Sequence, residues 1–418
     1  MNDASNCYDP DKNPSLLSVE QTLENIKNGI SSLSNTIVLP IRDALDHVLA
    51  EEVISTINVP PHRNSAMDGY AIKYSDIKND PDATLNVVGK SFAGEPYTGN
   101  VKAGECVRIM TGAMMPADCD SVIMQEQTEK QDNSITVSGS HRPEENVRFP
   151  GEDIKQGDVI LQPGKKISPA DLGLLSSIGI AEITVYCIPK VAFFSTGDEL
   201  KSLDEELGPG DIYDSNRYTL HGMLKQMNVE IIDLGVIADK KELIKQTLID
   251  AAEKADMVLT SGGASVGEAD YISDILNEIG AVNFWKIAMK PGKPLAFGHI
   301  NETPFFGLPG NPVSVMATCY LFVQPAIQQL KGINKDDQLK LTAKLENNLK
   351  KAPGRTDFQR GIFTQQQNGK LSVSTTGMQG SHILTSMSLA NCFIVLPRDS
   401  GNISEGELVE ILPFNDIL

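Results

Sequence analysis

The stretch DMVLTSGGASVGEADYISDILNEIG, residues 256–280, decides the fold. Its opening, DMVLTSG, has the composition of a short buried strand and ends in glycine. The part that follows places Ile272, Ile275, Leu276 and Ile279 three and four residues apart, the spacing of one helix face. A strand that runs through a glycine loop into a helix is one step of a βαβ unit, so the flanking sequence should alternate in the same way. KVAFFST (190–196), EIIDLGVI (230–237), FWKIAMK (284–290) and TPFFGLPG (303–310) read as strands, and so does LAFGHI. SNRYTLHGMLKQM and KKELIKQTLIDAAEKA read as amphipathic helices between them. A longer helix is expected from Asn311 onward, interrupted by Pro325.

The expectation is a multidomain α/β protein whose central three-layer α/β/α domain, 185–338, carries a mainly parallel sheet. Residues 55–153 are strand-like and broken by turns, which predicts a β-rich inserted domain. The flanking segments 36–54 and 154–184 share an apolar texture and are expected to pack together as a discontinuous linking domain. Residues 339–418 return to short strands and glycine turns, predicting a C-terminal small β-barrel domain. Residues 1–35 form an N-terminal helix region, with Ser18 and Gln21 at capping-box spacing and Gly29 closing the periodic stretch.

A chain of 418 residues exceeds what one core supports. Its 36 basic and 55 acidic residues give a net charge of −19, which repels a phosphate backbone and excludes a general nucleic-acid binder. The six cysteines are scattered without a C-x-x-C pair, as expected of reduced, buried thiols. The polar N-terminus lacks an apolar signal region and no apolar run approaches the ~18 residues of a membrane span, so a cytoplasmic protein without membrane contact is expected.

In an open α/β sheet, ligands bind beyond the carboxyl ends of the strands. The residues just past each predicted strand are Asp198 and Glu199, then Asp239, then Asp270, then the lysines Lys286, Lys290 and Lys293 around KPGKP, and finally GLPGNPVS. Singly, an acid there is often a helix cap, and Pro-Gly is often a turn. Acidic loops and a lysine-rich loop on one rim are harder to explain so. Carboxylates suit Mg²⁺ and lysines suit oxyanions, the combination needed for chemistry at a phosphate anhydride.

GASVG, residues 263–267, also spells the G-x-S-x-G elbow of serine hydrolases, with a strand before it and a helix after it. An elbow needs an acid and then a histidine downstream, and only His299, in a strand, and His382, in the terminal region, are available. The alternative is a glycine loop that aims backbone N–H groups and a helix dipole at a phosphate. In the inserted region, Asp68-Gly69 and Thr111-Gly112 read by themselves as an ordinary turn and strand end.

Taken together, NSAMDGYAI, RIMTGAMMPADCDSVIMQE, GEDI, FFSTGDEL, IYDSN, TSGGASVGEADY, KIAMKPGKPLAFG, GLPGNPVSV and GSHILTSMSLANCFIVLP resemble the molybdopterin molybdenumtransferase family, over nearly the whole chain. The resemblance implies an enzyme that inserts molybdate into adenylylated molybdopterin, with Mg²⁺ required and AMP released. It implies an elongated homodimer with a cleft shared between subunits, and contact with molybdopterin adenylyltransferase and molybdoenzyme maturation proteins. The same fold could also serve as a non-catalytic pterin-binding scaffold.

Residue by residue, the resemblance assigns Gly262, Gly263, Ser265, Gly267, Pro309 and Pro312 to substrate binding, joined by Asp68, Thr111, Arg148 and Asp153 from the other subunit. It assigns Glu199, Asp239, Asp270, Lys286 and Lys290 to catalysis, with Glu199 and Asp239 toward the metal. Lys290, Lys293, Ser314, Arg355 and Ser386 correspond to a molybdate pocket, with the choice between Arg355 and the nearby Arg360 left open. Lys240 stands where a second aspartate is frequent, so Asp239 is alone in its loop.

Overall fold

The computed structural model describes residues 16–80, 82–262, 271–333 and 338–414. Its central sheet has seven strands in the order Leu16–Leu17, Gly280–Ile287, Pro294–Ile300, Thr303–Leu308, Met257–Ser261, Lys190–Thr196 and Glu230–Ile237. Only Pro294–Ile300 runs against the rest, being antiparallel to both of its neighbours. Consecutive residues of one strand feed opposite layers: Val191 and Phe193 join one apolar cluster, while Ala192 and Phe194 join the other. That alternation is why the strand reads as a continuous apolar run: both faces are covered by helices. Helix Lys241–Lys254 covers one face with Ile244, Leu248 and Ala251, and helix Ser215–Gln226 covers the other with Leu220, Met223 and Leu224.

The helix after the last strand starts at its cap Asn311, with Pro312 at the first position, where a missing N–H costs nothing. It does not break at Pro325. The chain passes from Pro312–Thr318 through a π-helical turn, Cys319–Val323, into Gln324–Leu330. Proline has no N–H for the carbonyl four residues back, so the turn before it widens and the helix continues.

The C-terminal strands Thr356–Gln365, Leu371–Thr375, Leu341–Leu345, Leu408–Pro413 and Cys392–Leu396 close into a small barrel, the last pairing back to the first. Met289–Lys290 adds to this barrel as an extra strand beside Thr356 and Asp357. Barrel and α/β unit share one core: Phe358, Met387, Phe393 and Leu412 sit in the same cluster as Tyr320 and Phe322. Tyr320 Oη donates to Pro413 O at 2.7 Å.

Strands Thr36–Pro40 and Glu182–Tyr186 pair, as do Val53–Ile54 and Val159–Leu161, around a core drawn from both segments. The inserted region between them forms a six-stranded sheet with separate apolar clusters. Helix Val19–Asn28 has the full capping box of Ser18 and Gln21 and packs Ile26 into the α/β core. Five free cysteines occur among the described residues, and burial pushes the thiols of Cys106, Cys119, Cys319 and Cys392 up to about 12. Among the described residues no helix is long and apolar enough to cross a membrane.

Candidate functional site

Because Gly280–Ile287 shares the direction of the parallel strands, all five predicted strands end at one rim of the sheet. On the first, Gly197 folds back so closely that a Cβ there would lie 2.7 Å from Glu199 Oε2. The backbone N–H of Asp239 donates to Asp198 Oδ1 at 3.2 Å, bringing two loops together. Burial, then the charges of Asp198 and Glu199, hold the Asp239 carboxyl above its ordinary range. Mutual repulsion of this kind is what a cation relieves, and a set of carboxylate oxygens suits Mg²⁺. No closed cluster of three or more metal-ligating side chains occurs among the described residues.

The glycine-loop residues Gly263, Ser265 and Gly267, and Asp270, lie outside the described residues. Gly262 is within them, at φ +96, a left-handed conformation that disfavours any side chain. Its N–H continues the sheet by donating to Leu308 O at 3.1 Å.

Between the α/β unit and the barrel lies a cleft of about 750 Å³ whose wall includes Lys290, Lys293, Ser314, Arg355, Gln359 and Ser381. The lysine loop is closed by the N–H of Ile287 donating to Lys293 O at 2.7 Å, and Gly292 turns it at φ +97. Ser314 enters from the first turn of the helix capped by Asn311. The cleft therefore gathers cations from two folding units against an acidic overall charge. Such a local field attracts a small oxyanion.

Several assignments fall differently. Lys286 lies inside strand Gly280–Ile287, exposed and outside the cleft wall, within the stretch 284–290 read as a strand and not past its end. Ser386 is also outside the wall, only 2 % exposed. Its Oγ accepts from Arg360 Nε at 3.0 Å and donates to Ile383 O at 2.6 Å. Arg360 is itself 1 % exposed, and burial lowers its guanidinium to about 10, opposed by Asp357. Arg355, then, faces the cleft, while Arg360 and Ser386 stand behind it. Pro309 is buried and Pro312 half-buried, so both shape their loop without lining the cleft.

In the inserted region, Thr111 donates to Asp68 Oδ1 from both its N–H, at 2.7 Å, and its Oγ1, at 2.8 Å. These bonds, the backbone one foremost, hold the Asp68 carboxyl below its ordinary range. Arg148 and Asp153 line a second cleft of about 450 Å³ with Val59, Pro60, Asn64 and Glu152. None of its described lining residues belongs to the rim. Gln359, Ser381 and Lys350 of the first cleft carried no assigned role, although GSHILTS was among the distinctive segments of the sequence.

A mainly parallel sheet with carboxylates at the rim beyond two of its strands, and a cationic cleft where another strand passes into the barrel, defines the chain as an α/β protein with a rim site suited to an anionic ligand. Family profiles narrow this to one case: MoeA N-terminal region (domain I and II) matches residues 17–179, Probable molybdopterin binding domain residues 192–329, and MoeA C-terminal region (domain IV) residues 342–414. The chain is 46% identical to the molybdopterin molybdenumtransferase of Haemophilus influenzae, covering 96% of this chain and 100% of that one. It is 33% identical to the Nostoc molybdopterin molybdenumtransferase, covering 96% and 93%. The molybdopterin biosynthesis moeA protein of Pyrococcus horikoshii OT3 superposes with a TM-score of 0.84 at 30% identity, covering 96% of this chain and 100% of that one. The chain belongs to the molybdopterin molybdenumtransferase family.

Proposed function

We propose that this protein inserts molybdate into adenylylated molybdopterin in the cytoplasm, releasing AMP and completing the molybdenum cofactor. The observation that carries this reading is the pairing of a cationic cleft at Lys290, Lys293 and Arg355 with the carboxylates Asp198, Glu199 and Asp239 on the same rim. Cations suit molybdate, and carboxylates suit Mg²⁺ beside an anhydride. Glu199 and Asp239 would hold Mg²⁺, which when bound neutralises charge on the phosphates. Lys290 and Lys293 orient the oxyanion, Ser314 and Gln359 supply neutral donors, and the glycine loop together with the loop of Pro309 and Pro312 seats the pterin nucleotide. Catalysis in such a site is largely positioning and charge neutralisation.

The separate cleft of Arg148 and Asp153, with Asp68 and Thr111, supports a homodimer in which the inserted region of one subunit completes the rim of the other. Contacts with the adenylyltransferase that supplies the substrate and with molybdoenzyme maturation proteins belong to the same reading. The test is AMP release from adenylylated molybdopterin on addition of Mg²⁺ and molybdate. Stoichiometric AMP with formation of the molybdenum-loaded pterin is expected; intact substrate after incubation would refute the reading.

A further inference from the structure

The segment IYDSN, residues 212–216, has no role in the site as described, yet its last residue joins two rim loops. Asp214, only 2 % exposed, caps helix Ser215–Gln226 by accepting from the N–H of Arg217 at 3.0 Å. That cap fixes the first turn and with it Asn216. The Asn216 side-chain nitrogen donates twice, to Ser261 Oγ at 2.9 Å and to Gly310 O at 2.8 Å. Since a backbone carbonyl only accepts, Gly310 O dictates which end of the amide faces the loops. Asn216 Oδ1 is buried with no partner among the described residues, so among these residues it is the two nitrogen bonds that orient the group.

Its two partners are not equivalent. Ser261 ends strand Met257–Ser261 and precedes Gly262, where the glycine loop begins. Gly310 lies between Pro309 and the cap residue Asn311. Both stretches belong to the part of the rim assigned to the pterin nucleotide. The lysine loop is tied elsewhere, by Ile287 to Lys293 O and by Met289–Lys290 pairing with the barrel. The helix beyond Gly310 has an independent tie, the N–H of Val313 donating to Ser381 O at 3.1 Å.

We infer that Asn216 is a positioning residue for the pterin nucleotide: it sets the spacing between the end of strand Met257–Ser261 and the Pro309–Pro312 loop, and its own side chain lies outside the molybdate cleft, whose wall that loop joins only at Asn311. This rests on the functional reading above. Asn216→Ala in the full-length protein is expected to raise KM for adenylylated molybdopterin about tenfold, with KM for molybdate changed by less than about twofold. Asn216→Asp, which sets a carboxylate against Gly310 O, is expected to lose more. Asn216→Gln, which can still donate, recovers most of the affinity. Ser261→Ala, the mildest change, leaves the Gly310 bond and gives a smaller rise confined to the same substrate.

The Kd of adenylylated molybdopterin, measured by calorimetry without molybdate, should follow the same order without turnover. Unchanged KM and Kd in Asn216→Ala and Ser261→Ala would overturn the inference. So would a parallel loss of thermal midpoint and of both substrate affinities, which marks a residue that only holds the fold. Failure of the wild-type protein to release AMP falls on the proposed reaction instead; the calorimetric series still decides the role of Asn216.

Discussion

The cleft at Lys290 and the cleft at Arg148 are built in opposite ways. The one at Lys290 lies between units joined by an apolar cluster that spans both, where Phe393 meets Tyr320, Phe358 and Phe414 edge-on at centroid distances of 5.8, 6.0 and 4.8 Å, beside the barrel's own cluster. The one at Arg148 and Asp153 belongs to the linking and inserted regions, whose cores are separate from the α/β clusters. Groups that must hold fixed distances to one another are placed where two units have fused. Groups carried on an independent core are free of that constraint, which is what the proposed dimer requires of them.

The comparison can be broken first at the fused core. Phe393→Ala should cost about 3 to 5 kcal/mol and lower the unfolding of barrel and α/β unit together, while the inserted region unfolds as before. Calorimetry checks this; a barrel that melts alone would show the core is not shared. Glu199→Gln tests the rim itself, with AMP release expected to fall on the order of a hundredfold at an unchanged melting midpoint. Lys293→Ala should raise KM for molybdate about tenfold, and by less at high salt. Steady-state kinetics at two ionic strengths would read both.

The second cleft is tested by mixing subunits of Asp153→Ala with Glu199→Gln. Random exchange should restore about a quarter of wild-type activity, because half the dimers then carry one intact shared site. No recovery would place Asp153 with its own rim. The smallest effect concerns the seam between the bodies, where Lys331, 7 % exposed, donates to Met227 O at 2.8 Å near Asp46, His47 and Tyr186. Burial, reinforced by Lys166 and opposed by Asp46, lowers its ammonium to about 8. Between about 8 and its ordinary value the unfolded chain binds the extra proton, so this group's contribution to stability rises with pH across that window. Thermal melts of wild type and Lys331→Met should therefore differ less as pH increases through it.

The sequence made the sheet legible because buried strands and amphipathic helices write different periods, and KVAFFST and EIIDLGVI occupy the residues expected of them. It did not disclose the edge strand Leu16–Leu17, two residues too short to show any period. Nor could it place the widened helical turn, which depends on how the chain satisfies carbonyls around Pro325 rather than on composition. For the site, spacing grouped Lys290 with Lys293, whereas Asp68 and Thr111 read as a turn and a strand end, and only the resemblance places them at one cleft. Lys286 lies outside the cleft wall because charge pattern does not mark which of three neighbouring lysines faces a cleft. The pairing of Ser386 with Arg360 was out of reach for a related reason: which of two nearby arginines turns inward is settled by packing against a distant loop.

Residues 280–290 pass from the seven-stranded sheet directly into the barrel, with Met289 and Lys290 hydrogen-bonded beside Thr356 and Asp357. That passage works like the spine of a book. The two walls of the cationic cleft are bound along it, and bound again where the Val313 N–H donates to Ser381 O and where Tyr320 Oη donates to Pro413 O. The lysine that lines the cleft is thus held by both units at once, and its place is fixed relative to the two walls it stands between.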